Sequence, residues 1–284
     1  MFPTVSSLKY PVENNYHVKL ANTNGHIGAV KYLVENKADI HEGNNYSVRW
    51  ASANGHIEAV KYLVENKADI HSENNYCVRW ASEYGHFEVV KYLVENKADI
   101  HAEDNHCVRL ASASGYIVVV KYLVENKADI YTGDNYCVRL ASKNGHIDMV
   151  KYLFENKADI FAMHNTSVKL ASENGHIDMV KYLVEHKADI HAEDNYCIRW
   201  ASRKSHIDTV KYLAENKADI SVITDEHKKI IYGLKILNFW KNQRTRKRLI
   251  KIRNILTPIY YSPTMKGGYF ARKDLENILN KLLY

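Results

Sequence analysis

The chain has 284 residues, with 39 lysines and arginines, 33 aspartates and glutamates, and a formal net charge of +6 at pH 7. Residues 221–284 hold 14 basic and 4 acidic residues, which leaves 25 basic and 29 acidic residues in 1–220. A mildly acidic main part is therefore expected to carry a basic C-terminal segment. The sequence has no run of 18 apolar residues and no signal-peptide pattern at its N-terminus, which argues against a membrane-spanning or secreted protein.

The block KYLxExKADI occurs seven times, always 30 residues apart, from the copy ending at Ile40 to the copy ending at Ile220. A fixed period of this size predicts a solenoid, in which each repeat packs only on its neighbours. We expect an N-terminal lead over residues 1–10, seven repeats over 11–220, and a C-terminal cap with a basic helical tail over 221–284. The repeats are 11–40, 41–70, 71–100, 101–130, 131–160, 161–190 and 191–220.

The copy at residues 41–70 predicts two short helices separated by Gly55. Apolar residues recur at helical spacing in residues 46–54 and again in residues 57–65. Isolated helices of about nine residues are marginal in water, so both must be stabilised by packing. Gly55 follows the first helix at the position where a left-handed residue is common.

Four further details of the repeat can be predicted from residue type. Asn45 is a candidate N-cap for the first helix. Asn66 is expected to take the left-handed position after the second helix, with Lys67 beside it. Trp50 exchanges with leucine in other repeats, which favours a place in the core between repeats. Lys61 and Glu65 are spaced as an i,i+4 ion pair on the second helix.

The cysteines and histidines do not form a recognisable reactive site. Cysteine occupies one repeated position, and equivalent residues in stacked helices are too far apart for a disulfide, so free thiols and a reducing compartment are expected. The histidines lie one repeat apart, too distant to share a zinc ion, which favours a structural or solvated role. No phosphate-binding loop, H-E-x-x-H or G-x-S-x-G motif is present. We therefore expect no catalysis, no metal and no cofactor.

The stretch GHIEAVKYLVENKADI at residues 55–70 resembles the second helix and exit turn of an ankyrin repeat, and YSVRWAS at 46–52 lies where that family begins its first helix. The resemblance covers residues 11–220. The 30-residue form NYxVRLASxNGHIxxVKYL is similar to the ankyrin proteins of giant DNA viruses that infect amoebae. The usual ankyrin period is 33 residues, so the connecting fingers should be shortened.

This resemblance implies an all-α ankyrin-repeat solenoid of paired short antiparallel helices with shortened hairpin or turn fingers, followed by a C-terminal helical basic segment. It also implies a protein partner bound on the concave face, through positions that vary between repeats. The candidate partner-binding residues are Glu42, Asn44, Asn54, Glu73, Glu83, Tyr84, Glu103, Asp104, Asp134, Lys143, His164 and Asp194. If the chain is viral, the partner is expected to be a host protein.

The C-terminal segment leaves a second function open. Residues 238–256 are predicted to form a basic amphipathic helix, and residues 272–283 a final helix with an apolar stripe. The basic tail comprises Lys241, Arg244, Arg246, Lys247, Arg248, Lys251 and Arg253. This tail either binds nucleic acid or directs nuclear import, or it is a solvated cap helix. A purely structural array is the third alternative, and the expected location is intracellular, cytoplasmic or nuclear.

Overall fold

A computed structural model describes the backbone of residues 11–242 and the side chains of residues 16–233. The chain divides into two units, Met1–Val222 and Ile223–Tyr284. The predicted lead at residues 1–10, most of the basic helix at 238–256 and the final helix at 272–283 lie outside the described residues.

Seven helix pairs occupy the first unit, one pair in each 30-residue repeat. The pairs are α1 (Pro11–Thr23) and α2 (Ile27–Glu35), α3 (Glu42–Ala53) and α4 (Ile57–Glu65), α5 (Ser72–Glu83) and α6 (Phe87–Glu95), α7 (Ala102–Ser114) and α8 (Ile117–Glu125), α9 (Thr132–Lys143) and α10 (Ile147–Glu155), α11 (Ala162–Glu173) and α12 (Ile177–Glu185), and α13 (Ala192–Arg203) and α14 (Ile207–Glu215). A 3-10 turn, Ile220–Val222, follows the last pair. No strand occurs between residues 11 and 242, and the predicted all-α class is confirmed.

The second unit is described by one helix, α15 (Asp225–Asn242). Its N-terminus is marked by a hydrogen bond of 2.7 Å between the Thr224 hydroxyl and Nδ1 of His227. His227 and Ile231 are both buried, and their i,i+4 spacing defines the apolar side of the first turns.

The core of the first unit is aliphatic and repeats with the sequence. In the copy at residues 41–70, Val48 and Ala51 of α3 and Val60 and Leu63 of α4 have no exposed surface. Removing a buried leucine side chain of this kind costs about 2–5 kcal/mol. The stability of each repeat therefore depends on its neighbours, because the apolar side chains of these short helices are covered only by packing against adjacent repeats.

Each of the first helices from α3 onwards contains a left-handed turn near its start, within the bounds given above. Gly43, Asn44 and Asn45 have φ values of 63°, 56° and 59°, and the same conformation recurs at all six equivalent turns. Left-handed residues other than glycine cost roughly 1–2 kcal/mol each. Nη2 of Arg49 donates to the carbonyl of Gly43 at 2.7 Å and helps to hold this turn in place.

Asn45 does not act as an N-cap, so that prediction was wrong. Its side-chain oxygen accepts a hydrogen bond of 2.9 Å from the backbone N–H of Asp69, in the exit turn of the same repeat. Six equivalent asparagines make this bond, with N···O distances of 2.8–3.4 Å. The asparagine therefore connects the two ends of a repeat.

The glycine between the paired helices has the predicted left-handed conformation, with φ of 78° at Gly55. A second constraint comes from the next repeat, because a Cβ at this position would overlap with Nδ1 of His86. The His86 ring is fixed there by a contact of 3.0 Å between its Nε2 and the carbonyl of Ala53. The structural role predicted for these histidines is confirmed where that bond forms, at His56, His86, His176 and His206.

The left-handed position that follows the second helix is occupied by a lysine and not by the expected asparagine. Lys67 has φ of 73°, whereas Asn66 has φ of −88° and donates its side-chain amide to the carbonyl of Tyr62. The N–H groups of Lys67 and Ala68 donate to the carbonyls of Val64 and Leu63, which is the Schellman pattern. Because this pattern requires its left-handed residue at position 67, Asn66 cannot take that role.

The ion pairs on the second helices differ from the prediction. Nζ of Lys61 lies 3.2 Å from Glu58 at i,i+3, and not next to Glu65 at i,i+4. Lys151 pairs in the same way with Asp148. Both partners are exposed, so each pair stabilises the helix by a few tenths of a kcal/mol.

Candidate interaction surface

The first helices present one side of the stack to solvent. Along α3, Ser47, Val48, Ala51 and Ser52 are buried, whereas the intervening side chains are partly exposed. We define the first-helix face as the positions equivalent to Tyr46, Arg49, Trp50, Ala53 and Asn54 in each repeat. First helices also pack more closely on one another than second helices do.

The placement of Trp50 in the core was wrong. Trp50, Trp80 and Trp200 are half-buried on the first-helix face, as are their counterparts Leu110, Leu140 and Leu170. The core positions of this helix are taken by smaller side chains, Val48 and Ala51, because adjacent first helices pack closely. The tryptophan and leucine side chains therefore lie at the edge of the core, where part of each side chain is exposed to solvent.

Cationic side chains on this face lie over aromatic rings of the following repeat. Lys19 lies 5.4 Å from the ring centre of Tyr46, and Arg49 lies 5.1 Å from that of Tyr76. The same contact recurs from Arg109 to Tyr136 and from Lys169 to Tyr196. Such cation–π pairs contribute roughly 0.5–1 kcal/mol at exposed sites. They link consecutive first helices and hold both groups in defined positions.

Two repeats depart from this pattern, with Thr166 in one and His106 in the other. His106 replaces tyrosine, and its Nδ1 lies 3.3 Å from Nη1 of Arg79. Burial lowers the pKa of His106, and the neighbouring Arg109 and Arg79 lower it further. The ring is therefore neutral at pH 7 and can accept a hydrogen bond from the guanidinium.

Aromatic side chains also stack along single first helices. The rings of Tyr76 and Trp80 are 5.1 Å apart, and Tyr84 follows at 5.5 Å from Trp80. Tyr84 is 46% exposed, so the end of this row is open to solvent. Tyrosine, tryptophan and arginine are the residues that dominate binding energy at protein interfaces. Repeat 71–100 therefore contains a three-ring surface with the composition of a binding hot spot.

The turn tips are acidic, and several of their side chains connect neighbouring repeats. Asn44 donates to Glu73 at 2.6 Å, and Asn74 donates to Glu103 at the same distance. Glu42 pairs with Lys19 at 3.1 Å. The predicted binding residues Glu42, Asn44, Glu73 and Glu103 thus already have side-chain partners within the array.

The remaining predicted residues are exposed or half-buried, and their role in binding stays a prediction. Asp104, Asp134, His164 and Asp194 are exposed at the turn tips, and Asn54, Tyr84 and Lys143 are exposed at the far ends of the first helices. Glu83 is half-buried, and burial raises its pKa. The side chain of Asn54 donates back to the carbonyl of Trp50 at 2.8 Å.

The basic tail is mostly beyond the described residues. Lys241 lies on α15, and its side chain is outside the described part of the chain. The other predicted tail residues, Arg244 to Arg253, lie entirely outside it.

The thiols and histidines offer little chemistry where the structure describes them. All four cysteines are free and buried. Burial, the largest cause, raises the pKa of Cys77 and Cys107 to about 12, which keeps them as unreactive thiols at pH 7. Within residues 16–233, no group of three or more histidine, cysteine or acidic side chains is arranged to hold a metal ion.

Sequence reasoning missed the Arg49–Tyr76 contact and its equivalents, and it named Trp50 only as core. A signal was available, since tyrosine, arginine and tryptophan recur at the same three repeat positions. The exchange of tryptophan with leucine between repeats was instead interpreted as packing in the core.

The helix pairs, their short turns and the exposed first-helix face define a helical repeat solenoid with a long surface for contact. A family model for ankyrin repeats matches residues 18–104, 48–134, 108–194 and 138–224. The chain therefore belongs to the ankyrin-repeat family. Comparison with curated proteins gives no match. Among the helices of the described residues, none is both long and apolar enough to cross a membrane.

Proposed function

We propose that the chain is a non-enzymatic adaptor that binds another protein on its first-helix face and turn tips. Ankyrin repeats generally mediate protein–protein interaction, and members of the family are typically scaffolds without catalytic activity. The observation that carries the proposal is the row of Tyr76, Trp80 and Tyr84. Partly exposed aromatic side chains held in fixed positions lose little entropy when a partner covers them.

Affinity capture with the full chain tests this function. We expect the variant Tyr84→Ala/Tyr136→Ala to lose captured proteins, because both rings are exposed on the first-helix face. The matched control is Tyr32→Ala on α2, where a tyrosine of similar exposure, 41% against 46% for Tyr84, lies on a second helix. Loss of a hot-spot aromatic costs about 2 kcal/mol or more, which is roughly a thirtyfold change in Kd.

Two results would overturn the proposal. The first is that Tyr84→Ala/Tyr136→Ala captures an unchanged set of proteins, whereas the control Tyr32→Ala loses captured proteins. The second is an empty capture by a chain shown to be folded by circular dichroism, which would favour the purely structural array.

The setting of this function is also a proposal. The 30-residue repeat form is similar to that of ankyrin proteins from giant DNA viruses of amoebae, which supports a host protein as the partner. Four free thiols support an intracellular location, cytoplasmic or nuclear, because oxidising compartments favour disulfides. Fractionation of infected or expressing cells, followed by immunoblotting, tests the location, and identification of the captured proteins tests the partner.

The nucleic-acid alternative rests on the composition of residues 241–253 alone. Neutralising those lysines and arginines should abolish salt-dependent DNA binding if the tail is responsible. Binding that persists in the neutralised chain would exclude the tail as the contact.

A further inference from the structure

The positive charge of the first-helix face is concentrated in the last three repeats. On α9, α11 and α13 this face carries six cations and one carboxylate. The cations are Arg139, Lys143, Lys169, Arg199, Arg203 and Lys204. The carboxylate is Glu173. The corresponding positions of repeats 11–130 carry four cations and one carboxylate across four repeats. The C-terminal face, defined as these positions of α9, α11 and α13, is thus the most cationic part of the first-helix face.

The carboxylate Glu173 is already engaged. It accepts a hydrogen bond of 2.8 Å from the hydroxyl of Tyr196 and lies 3.9 Å from Nζ of Lys204. Its interaction with Tyr196, after burial as the larger cause, raises the pKa of that tyrosine to about 12. Lys169 is buried and donates to Glu193. Arg139 and Arg199 donate to the carbonyls of Gly133 and Glu193 in their own turns. The charges left for a partner are therefore those of Lys143 and Arg203.

Lys143 and Arg203 are exposed and occupy equivalent positions at the ends of α9 and α13. Neither forms an ion pair with any side chain of residues 16–233. The Arg203 guanidinium lies 4.9 Å from the ring of Trp200, so a cation and a large apolar surface are adjacent. Half-buried Leu140 and Leu170 continue the apolar surface on the preceding helices.

The distance between the acidic turn tips and the cations at the helix ends favours a peptide segment over a nucleic-acid duplex as the partner. The acidic turn tips, Asp134 and Asp194, precede Lys143 and Arg203, and the helical residues between them, such as 136–143, rise by about 11 Å. A nucleic-acid duplex is wider than that separation, so its phosphates would meet both the cations and the acidic tips. A single peptide segment crossing the ends of α9, α11 and α13 meets Lys143, Arg203 and the apolar side chains, and the one carboxylate between them, Glu173, is already paired with Tyr196 and Lys204.

We propose that the C-terminal face binds an acidic amphipathic segment of a partner protein. Its carboxylates face Lys143 and Arg203, and its apolar side chains face Leu140, Leu170 and Trp200. This inference rests on the proposed adaptor function and specifies the chemistry of the partner. Three stacked helices span about 20 Å, which corresponds to roughly 13 helical residues or about six extended ones.

Synthetic peptides and the full chain test the proposal by fluorescence anisotropy. The probes are a peptide of about 15 residues built from glutamate and leucine, a version with lysine for glutamate, a version with glycine for leucine, and a duplex DNA. We expect the glutamate–leucine peptide to bind at least about tenfold more tightly than the others, and its binding to weaken with added salt.

Charge-reversal variants locate the contact. Lys143→Glu/Arg203→Glu should weaken binding of the glutamate–leucine peptide by about tenfold or more. The matched control is Lys151→Glu/Lys181→Glu, which makes the same net change at exposed lysines of α10 and α12 and should leave the Kd unaltered. Thermal unfolding of both variants verifies that each remains folded.

Several outcomes overturn the inference. These are equal weakening in the control, equal binding of the lysine or glycine peptide, tighter binding of the DNA duplex, and no peptide binding by a folded chain. A captured protein that is lost with Tyr84→Ala/Tyr136→Ala but kept with Lys143→Glu/Arg203→Glu would also overturn it. In that last case the adaptor function stands and only the acidic-segment assignment fails.

Discussion

The contact between Gly145 and His176 predicts a large and specific loss of stability on substitution. Gly145 has φ of 79°, and a Cβ there would lie 2.6 Å from Nδ1 of His176 in the next repeat. Alanine in this conformation costs about 1–2 kcal/mol. Displacing the ring also breaks the contact of 2.8 Å between its Nε2 and the carbonyl of Lys143, worth about 1 kcal/mol. Gly145→Ala should therefore destabilise the chain by about 2–3 kcal/mol.

Urea unfolding followed by circular dichroism measures this change. Gly28→Ala is the matched control, because Gly28 lies in α2, has no atom within 4 Å of an added Cβ, and is not left-handed. That substitution should stabilise the chain by up to about 1 kcal/mol, since alanine is the better helix former.

A double variant separates the two causes. Gly145→Ala/His176→Ala removes the ring that the new Cβ would meet, so only the left-handed strain and the lost hydrogen bond should remain. The two substitutions should then be less destabilising together than the sum of their separate effects. Strict additivity, or a Gly145→Ala variant as stable as Gly28→Ala, would refute the assignment of this glycine to inter-repeat packing.

Three further predictions concern the repeat itself. Asn135→Ala should cost about 1–2 kcal/mol in urea unfolding, because the N–H of Asp159 loses its acceptor at 2.8 Å and alanine is strained in the left-handed turn. Lys67→Gly should stabilise the chain by about 0.5–1 kcal/mol, since Lys67 is exposed and left-handed with φ of 73°. The thiol of Cys107, with its pKa raised to about 12, should resist a water-soluble thiol reagent at pH 7 until the chain unfolds.

Each of these has a contrary result. For Asn135, a variant with unchanged stability would show that the side chain does not join the two ends of the repeat. For Lys67, destabilisation by glycine would mean that the lysine side chain makes a stabilising contact that outweighs its backbone strain. For Cys107, rapid labelling of the folded chain would contradict its burial.

The raised thiol pKa also sets the sign of a pH effect. Because the folded pKa of Cys107, about 12, exceeds its ordinary value, the unfolded chain releases this proton first as pH rises. The contribution of the buried thiol to stability is therefore complete below about pH 8 and falls between about pH 9 and 12. Cys107→Ser, which copies the serine naturally present at position 47, should make the alkaline decline shallower.

The helix pairs were predictable from the sequence because their determinants are local. Apolar residues at helical spacing defined residues 57–65, and the structure places α4 at Ile57–Glu65. Gly55 was predicted to be left-handed from its residue type and its position after the first helix, since glycine has no Cβ to oppose that conformation. The predicted partner-binding residues were found on the surface because polar residues that vary between repeats are rarely buried.

The roles of Asn45 and Trp50 could not be predicted in the same way. Asn45 bonds to Asp69, 24 residues away, and residue type alone favours the local N-cap instead. Trp50 was assigned to the core because it exchanges with leucine in other repeats, but the close approach of neighbouring first helices leaves room only for smaller side chains such as Val48 and Ala51. Both errors concern contacts that depend on the distance between elements. That distance cannot be read from the spacing of residues in the sequence.

The sequence by itself determined the period, the two helices of each repeat and the boundary near residue 220, because these depend on interactions within a few residues along the chain. Only the tertiary structure decided which side chains meet between repeats, such as Arg49 with Tyr76 and Gly145 with His176. Those pairs depend on the rotation and spacing of stacked helices, which follow from the packing of the whole repeat. The open first-helix face, with its cations gathered on α9 to α13, is a consequence of that packing.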